Sequence, residues 1–335
     1  MFVLVYGYSL TFEYAAGLRF LRGQALLFVL LSAGFLCIPR VLFRDEDPWL
    51  ERSELPRGAV INFAAPVVIC GLMLSSLAPQ SVVLPRGDTV RLATYNINGG
   101  YDGTGVYRLE RIAQTIEASV ADVVVLQEVD TGRPVSYGVD MLEFLSRRLD
   151  MEHVYQPTVE SVRGIAILSP WPISNPEAIF LPSNGEQQAA LRVTITDPRQ
   201  GRTFTLIAVQ MEAGEEAHRI EQLAVLFTLI GDQEPLVVAG DLAAPPQDVV
   251  YQQMLAAGFL DPDLELGVDR GFTTPARLPA FRHDYVLMRG LSPLSSLQSE
   301  STASDHRMVV VDLGWPAAES GPPELPTDPT PTPQP

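Results

Sequence analysis

From Val90 onward the chain switches repeatedly between two hydrophobic spacings. Val90–Tyr95 and Val123–Gln127 are short β-rich runs. The segment RLERIAQTIEAS between them repeats apolar residues at helical intervals, with Leu109, Ile112, Ala113 and Ile116 on one face. The same reading predicts strands at Ile165–Leu168, Leu191–Ile195, Thr203–Val209, Leu236–Ala239, Asp284–Met288 and Met308–Val311. It predicts helices over Asp140–Leu149, Glu216–Ile230 and Gln247–Ala257. The economical arrangement of these elements is an α/β fold with two sheets packed together and helices outside.

Both ends of the chain depart from this pattern. Residues 58–85, between Arg57 and Arg86, carry no charge and include AVINFAAPVVICGLMLSSLA. That run is long enough to cross a hydrocarbon core of roughly 30 Å as a helix, and the firmest span falls at about residues 58–80. Two shorter runs precede it: QALLFVLLSAGFLCIP between Arg22 and Arg40, and residues 1–18, which Glu13 interrupts. A signal-peptide core or a buried helix would also account for either. A longer apolar segment follows them, rather than a cleavage site and mature sequence, so residues 1–86 are expected to be a membrane region with two or three spans. Residues 87–315 then form one domain. After Trp315, PAAESGPPELPTDPTPTPQP is too rich in proline, threonine and acid to order itself, so residues 316–335 are expected to be a disordered tail.

Charge narrows the partners. The net charge is −17, and all 23 basic residues are arginine. Binding duplex nucleic acid stably requires a basic surface with several phosphate contacts, which an acidic chain does not offer. Small or membrane-borne phosphoesters, including lipid head groups, fit better. Arginines flanking the apolar runs are nearly balanced, so the acidic domain and tail decide the expected topology: a membrane protein with an extracytoplasmic domain. Cys37 and Cys70 lie inside the apolar segments and read as small hydrophobes.

Polar chemistry collects where the strands end: Asn96 in TYN, Glu128 in VVVLQE, Asp241 in VVAGD, Asp284 in RHDYV, and Asp305 and His306 in SDH. Taken singly, each is explained as well by a turn or a helix cap, and Asn96 could simply cap the NGG turn that follows. Taken together, Asn, Glu and Asp oxygens suit a hard cation such as Mg²⁺ or Mn²⁺, and one histidine beside such a cation suits phosphoester hydrolysis.

In this order, LATYNINGG, ADVVVLQEVD, GIAILSPWPI, HRIEQ, VVAGD, RHDYV and SDH resemble the endonuclease/exonuclease/phosphatase superfamily, over about Val90 to Val311. That superfamily includes DNase I, abasic-site endonucleases, neutral sphingomyelinases and inositol polyphosphate 5-phosphatases. The resemblance implies a four-layer α/β/β/α sandwich with its cleft at one end of the paired sheets. It implies metal-binding positions at Asn96 and Glu128, with Asp305 near the metal. It also implies that Asp284 orients His306, and that Asp241 positions or deprotonates the attacking water.

Two positions depart from the family pattern. Where relatives read GDxN the chain reads GDLA, so Ala243 replaces an amide that contacts the scissile phosphate. Where they commonly have the histidine of THL, the chain has Gln210, which can contact substrate but cannot exchange a proton near neutrality. Two functions follow: a membrane-anchored, metal-dependent phosphoesterase, or a catalytically impaired relative acting as a binding or sensor domain. His153, His218 and His283 read as surface or packing residues, Trp171 as packing, and Arg219 and Gln222 as structural.

Overall fold

A computed structural model describes residues 88–316. The apolar runs within residues 1–86, both cysteines and nearly all of the proline-rich tail lie outside the described residues. Among the described residues, no helix is long and apolar enough to cross a membrane.

Among the described residues, eleven strands form two sheets. The first contains β1 (Thr89–Asn96), β2 (Val123–Asp130), β3 (Glu152–Val159), β4 (Arg163–Ser169), β10 (Ser292–Gln298) and β11 (Val309–Gly314), in the order β10-β11-β1-β2-β4-β3. The second contains β5 (Ile173–Leu181), β6 (Gln188–Asp197), β7 (Arg202–Gln210), β8 (Leu236–Asp241) and β9 (Asp284–Arg289), in sequence order. Each sheet has a parallel pair, β1 with β2 and β7 with β8, and its other neighbours run antiparallel. A helix makes each crossover: α1 (Leu109–Ser119) in the first sheet, α3 (Glu216–Ile230) in the second. Further helices are α2 (Met141–Leu149), α4 (Val249–Ala256) and the short α5 (Pro262–Glu265).

Alternating side chains build four layers. Val90, Leu92, Val123, Val125, Val237 and Ala239 point into a core between the sheets. Their neighbours Ala93, Tyr95, Val124 and Leu126 face α1 and α2, where Leu109, Ile112, Ala113 and Ile116 meet them as the spacing predicts. Leu236 and Val238 face α3 and α4. Strands buried on both faces need apolar residues on both, which is why the central strands read as unbroken hydrophobic runs. Trp171 packs in the inter-sheet core with the Arg199 guanidinium 4.6 Å from its ring centre, so its role is packing. Arg219 pairs with Asp248, and Gln222 bonds the Glu212 N–H and the Pro182 carbonyl, which makes both structural.

Three strands carry no clear sequence signal: β3, β5 and β10. All are sheet edges with at most one fully buried residue, and each contains a proline: Pro157, Pro176 and Pro293. An edge needs neither two apolar faces nor every backbone donor, so the pattern that marks a buried strand is missing there.

The topology also sets where the strand ends fall. Parallel strands finish on the same edge of a sheet, and an antiparallel neighbour starts there. Asn96 pairs with Gln127, Gln210 with Asp241, Asp241 with Asp284, and Asp130 with Arg163, which brings three strand termini to one end of each sheet. Gly240 holds one of them in place. Its φ is 154°, and a Cβ there would lie 1.9 Å from the Val209 carbonyl oxygen. Gly240→Ala is therefore expected to lower stability by roughly 3 kcal/mol, at the upper end of overpacking costs, in denaturant melts. An unchanged midpoint would show that β7 and β8 are not held this closely.

Candidate active site

The strand ends meet in a continuous polar network. At the end of β1, the buried Asn96 amide nitrogen donates to Glu128 Oε1 at 3.0 Å and to Asp241 Oδ2 at 3.1 Å. Its Oδ1 accepts the Asn98 N–H at 3.0 Å, so Asn96 also caps the turn that follows. Glu128 projects from an interruption of the β2–β4 ladder between Leu126 and Val129, with φ of 58°. A glutamate rarely takes that left-handed conformation; here the bulge imposes it, and bulges re-aim side chains at sites. Gln210, at the end of β7, donates from Nε2 to Glu128 Oε1 at 3.1 Å.

Across the network, Asp241 accepts the Ala243 N–H at 2.8 Å through its other oxygen. Ala243 is buried with φ of 49°. That backbone suits the asparagine of GDxN better than alanine, because asparagine is among the few non-glycine residues enriched there. His306 Nδ1 lies 2.8 Å from Asp284 Oδ2, and its Nε2 lies 3.9 Å from Asp241 Oδ2. The segment before β9 covers this pair. Thr273 Oγ1 accepts the N–H groups of His283 and Asp284, and Ala276 N–H bonds the Asp305 carbonyl. Ser304 ties the SDH turn back to β1, donating to the Asn96 carbonyl at 2.8 Å. Asp305 is half-buried beside it and accepts from the same hydroxyl at 3.2 Å.

The electrostatics of this cluster are far from those of water. Burial, then the charge of Asp284, pushes the Asp241 carboxyl up to about 7. Burial alone would lower the His306 imidazole, but the charge and hydrogen bond of Asp284, with Asp241 and Asp305 behind it, push it up to about 10. Burial also raises the Asp305 carboxyl, with Glu128 adding to the rise and His306 opposing it. Carboxylates outnumber cations here, which is an environment a bound cation would balance.

Two sets of groups could take that cation. Asp241, Asp284 and His306 each bring one ligand-type atom within 4.8 Å of the others. Yet His306 Nδ1 is taken up by Asp284 at 2.8 Å, and the carboxylates of Asp284, Asp241 and Asp305 favour the imidazolium, which has no lone pair to give. Glu128, Asn96 and Asp305 supply oxygen atoms alone, the donor type that a hard cation takes. This second set fits better.

Every predicted site residue lies at this end of the sheets. Asn96, Glu128, Gln210, Asp241, Asp284 and His306 form one chain of contacts, and Asp305 joins it through Ser304 and through the field of Glu128 and His306. His283 stacks on Phe281 at 5.6 Å, and burial lowers its imidazole. His218 pairs with Glu212 at the start of α3, and His153 lies on the edge strand β3. One residue escapes the sequence reading. Arg163, the first residue of β4, makes an ion pair with Glu128 Oε2. Its signal is positional only: it opposes Asp130 in the strand antiparallel to β2.

Residues 93–306 match the Endonuclease/Exonuclease/phosphatase family. The chain belongs to this family. Solved structures with the same fold include an endonuclease/exonuclease/phosphatase from Beutenbergia cavernae, 23% identical with a TM-score of 0.57, covering 68% of this chain and 72% of the other. The human Nocturnin catalytic domain, solved with a bound sulfate anion, is 22% identical with a TM-score of 0.56, covering 69% and 95%. The mannosyl-6-phosphatase of Bacteroides thetaiotaomicron is 16% identical with a TM-score of 0.53, covering 68% and 100%. At these identities the likeness speaks for the DNase I-like fold. Family membership makes a phosphoesterase a plausible activity, and such enzymes typically use a divalent metal.

Proposed function

We propose that the chain is a metal-dependent phosphoesterase, tethered at a membrane by the apolar segments before residue 87, acting on small or lipid-linked phosphoesters. The observation that carries this reading is the Asn96 amide, which binds a candidate metal carboxylate, Glu128, and a candidate base, Asp241, with one nitrogen. Asn96, Glu128 and Asp305 would hold Mg²⁺ or Mn²⁺. When bound, the cation neutralises charge that builds on the phosphate oxygens as water attacks.

The protein's own groups then divide the work. Asp241, raised to about 7, is a base whose ionised and protonated forms interconvert near neutrality, so it can take the proton of the attacking water. His306, held protonated by Asp284, donates its Nε2–H to a phosphate oxygen. Gln210 lends an amide to orient the substrate but cannot protonate the leaving oxygen. That oxygen therefore departs as an anion, which favours substrates with good leaving groups. Losing one preorganised donor at Ala243 costs about 10²–10³ in rate, and a missing general acid roughly another 10²–10⁴. Those losses motivate the second reading, an impaired relative that binds a phosphoester without turning it over.

Hydrolysis of bis(p-nitrophenyl) phosphate by the full chain is expected to require Mg²⁺ or Mn²⁺ and to fall by at least about 10² in Glu128→Gln. Since Asp241 must be ionised and His306 protonated, kcat/KM should rise with pH up to about 7 and fall as pH passes about 10. A nearby cation favours ionised Asp241, so metal binding moves the lower limb downward. Activity that ignores Glu128 sinks the metal assignment. Ala243→Asn with Gln210→His should raise kcat by at least about 10², and Asp241→Asn should erase that gain. If the doubly substituted chain folds, binds Mn²⁺ and stays as slow as the natural one, these two positions are not what limits it. The proposed extracytoplasmic domain should be cut by protease added to intact cells, and full protection would overturn that orientation.

A further inference from the structure

Arg163 stands where a cation would act. Glu128 Oε1 accepts two amides, from Asn96 and Gln210, and Oε2 is occupied by the Arg163 guanidinium. An arginine cannot give up its proton, so it yields this carboxylate to another cation only by moving away. The structure offers it a second berth. Asp130, two residues along the same strand, is buried at 1% exposure, and neither of its oxygens has a hydrogen bond. Arg163 Nη1 lies 4.0 Å from Asp130 Oδ1, and Arg133 Nη1 lies 3.6 Å from the same atom. On the open side, Arg163 Nε is 3.7 Å from the exposed Glu186.

The backbone is held closely on both sides of this pair. Gly164 fixes the backbone beside Arg163, since a Cβ there would sit 2.1 Å from the Gln156 carbonyl oxygen. The Asn98–Gly100 turn closes the other side: a Cβ on Gly99 would lie 3.1 Å from Asp130 Oδ2 and 3.8 Å from Arg163 Nη1. A buried carboxylate with no hydrogen bond is costly unless a donor can reach it; of the two guanidinium groups within 4.0 Å of Asp130, Arg133 and Arg163, it is Arg163 that also pairs with Glu128.

Building on the metal-dependent reading above, we propose that Arg163 holds the place of the divalent cation on Glu128, and that on cation binding it shifts towards Asp130 and becomes a phosphate-binding group of the cleft. The exchange preserves charge balance in both states. Glu128 is neutralised by arginine before the cation arrives and by the cation afterwards, while the planar guanidinium passes to Asp130 with its remaining N–H groups directed at an anionic substrate.

Mn²⁺ binding to the full chain, followed by the electron paramagnetic resonance signal of the free ion, tests this without relying on turnover. Arg163→Met removes the competitor, so Mn²⁺ should bind about tenfold more tightly, the value of one charge-assisted hydrogen bond, while hydrolysis falls by about 10². Asp130→Asn removes the berth and should shift affinity in the opposite direction, weakening Mn²⁺ binding several-fold. The double variant should bind as Arg163→Met does. If Glu128→Gln abolishes Mn²⁺ binding but neither Arg163→Met nor Asp130→Asn changes the affinity, the exchange is wrong and the metal site stands. If neither the natural chain nor Arg163→Met binds Mn²⁺, the exchange and the metal-dependent reading both fail.

Discussion

One side-chain nitrogen bonds carboxylates of both sheets at the end where their strands finish. Asn96 belongs to the first sheet, and its amide reaches Glu128 in the same sheet and Asp241 in the second. Both acceptors depend on backbones that few residues tolerate: Glu128 on a bulge at positive φ, Asp241 on the glycine before it. Around this junction the parallel pairs β1–β2 and β7–β8 end side by side, and the starts of β4 and β9 fill the remaining places. Had either crossover lacked its helix, the strands could not run parallel and their polar ends would face opposite edges.

The same convergence creates the electrostatic problem that makes the site chemical. Asp241, Asp284 and Asp305 crowd around His306 while Glu128 pairs with Arg163, and burial magnifies each interaction. His306 responds by holding its proton and Asp241 by giving up ionisation until near neutrality. Arg163 cannot respond by titration, so its only freedom is position. A fixed charge between two carboxylates, one satisfied and one lacking hydrogen bonds, is the kind of discrete two-place element through which ligand binding can act.

Much of this was legible from residues alone, for physical reasons that also explain the gaps. Central strands such as Val123–Asp130 and Leu236–Asp241 are covered on both faces and announce themselves by apolar content; edges such as β5, with Pro176 and a row of exposed side chains, do not. Asn96, Glu128, Asp241, Asp284 and His306 were identifiable because polar residues that close apolar runs have few other uses in bulk. Arg163 was not, because it opens its strand, and one arginine before GIAILS looks like any surface charge. Its partner Asp130 sat in view in QEVD without the pairing that gives it meaning. The departures at Ala243 and Gln210 were visible in sequence, but the left-handed backbone at Ala243 and the Gln210–Glu128 hydrogen bond required coordinates.

In the function proposed, the strand ends hold an oxygen-lined cation site centred on Glu128, with the Asp241–Asp284–His306 group beside it as acid and base. A crystal of the full chain soaked in Mn²⁺, with anomalous differences measured near the manganese edge, addresses this directly. A single strong peak coordinated by Glu128 is expected, with Asn96 and Asp305 turned towards it and the His306–Asp284 hydrogen bond intact. A peak among Asp241, Asp284 and His306, with that hydrogen bond broken, would contradict it.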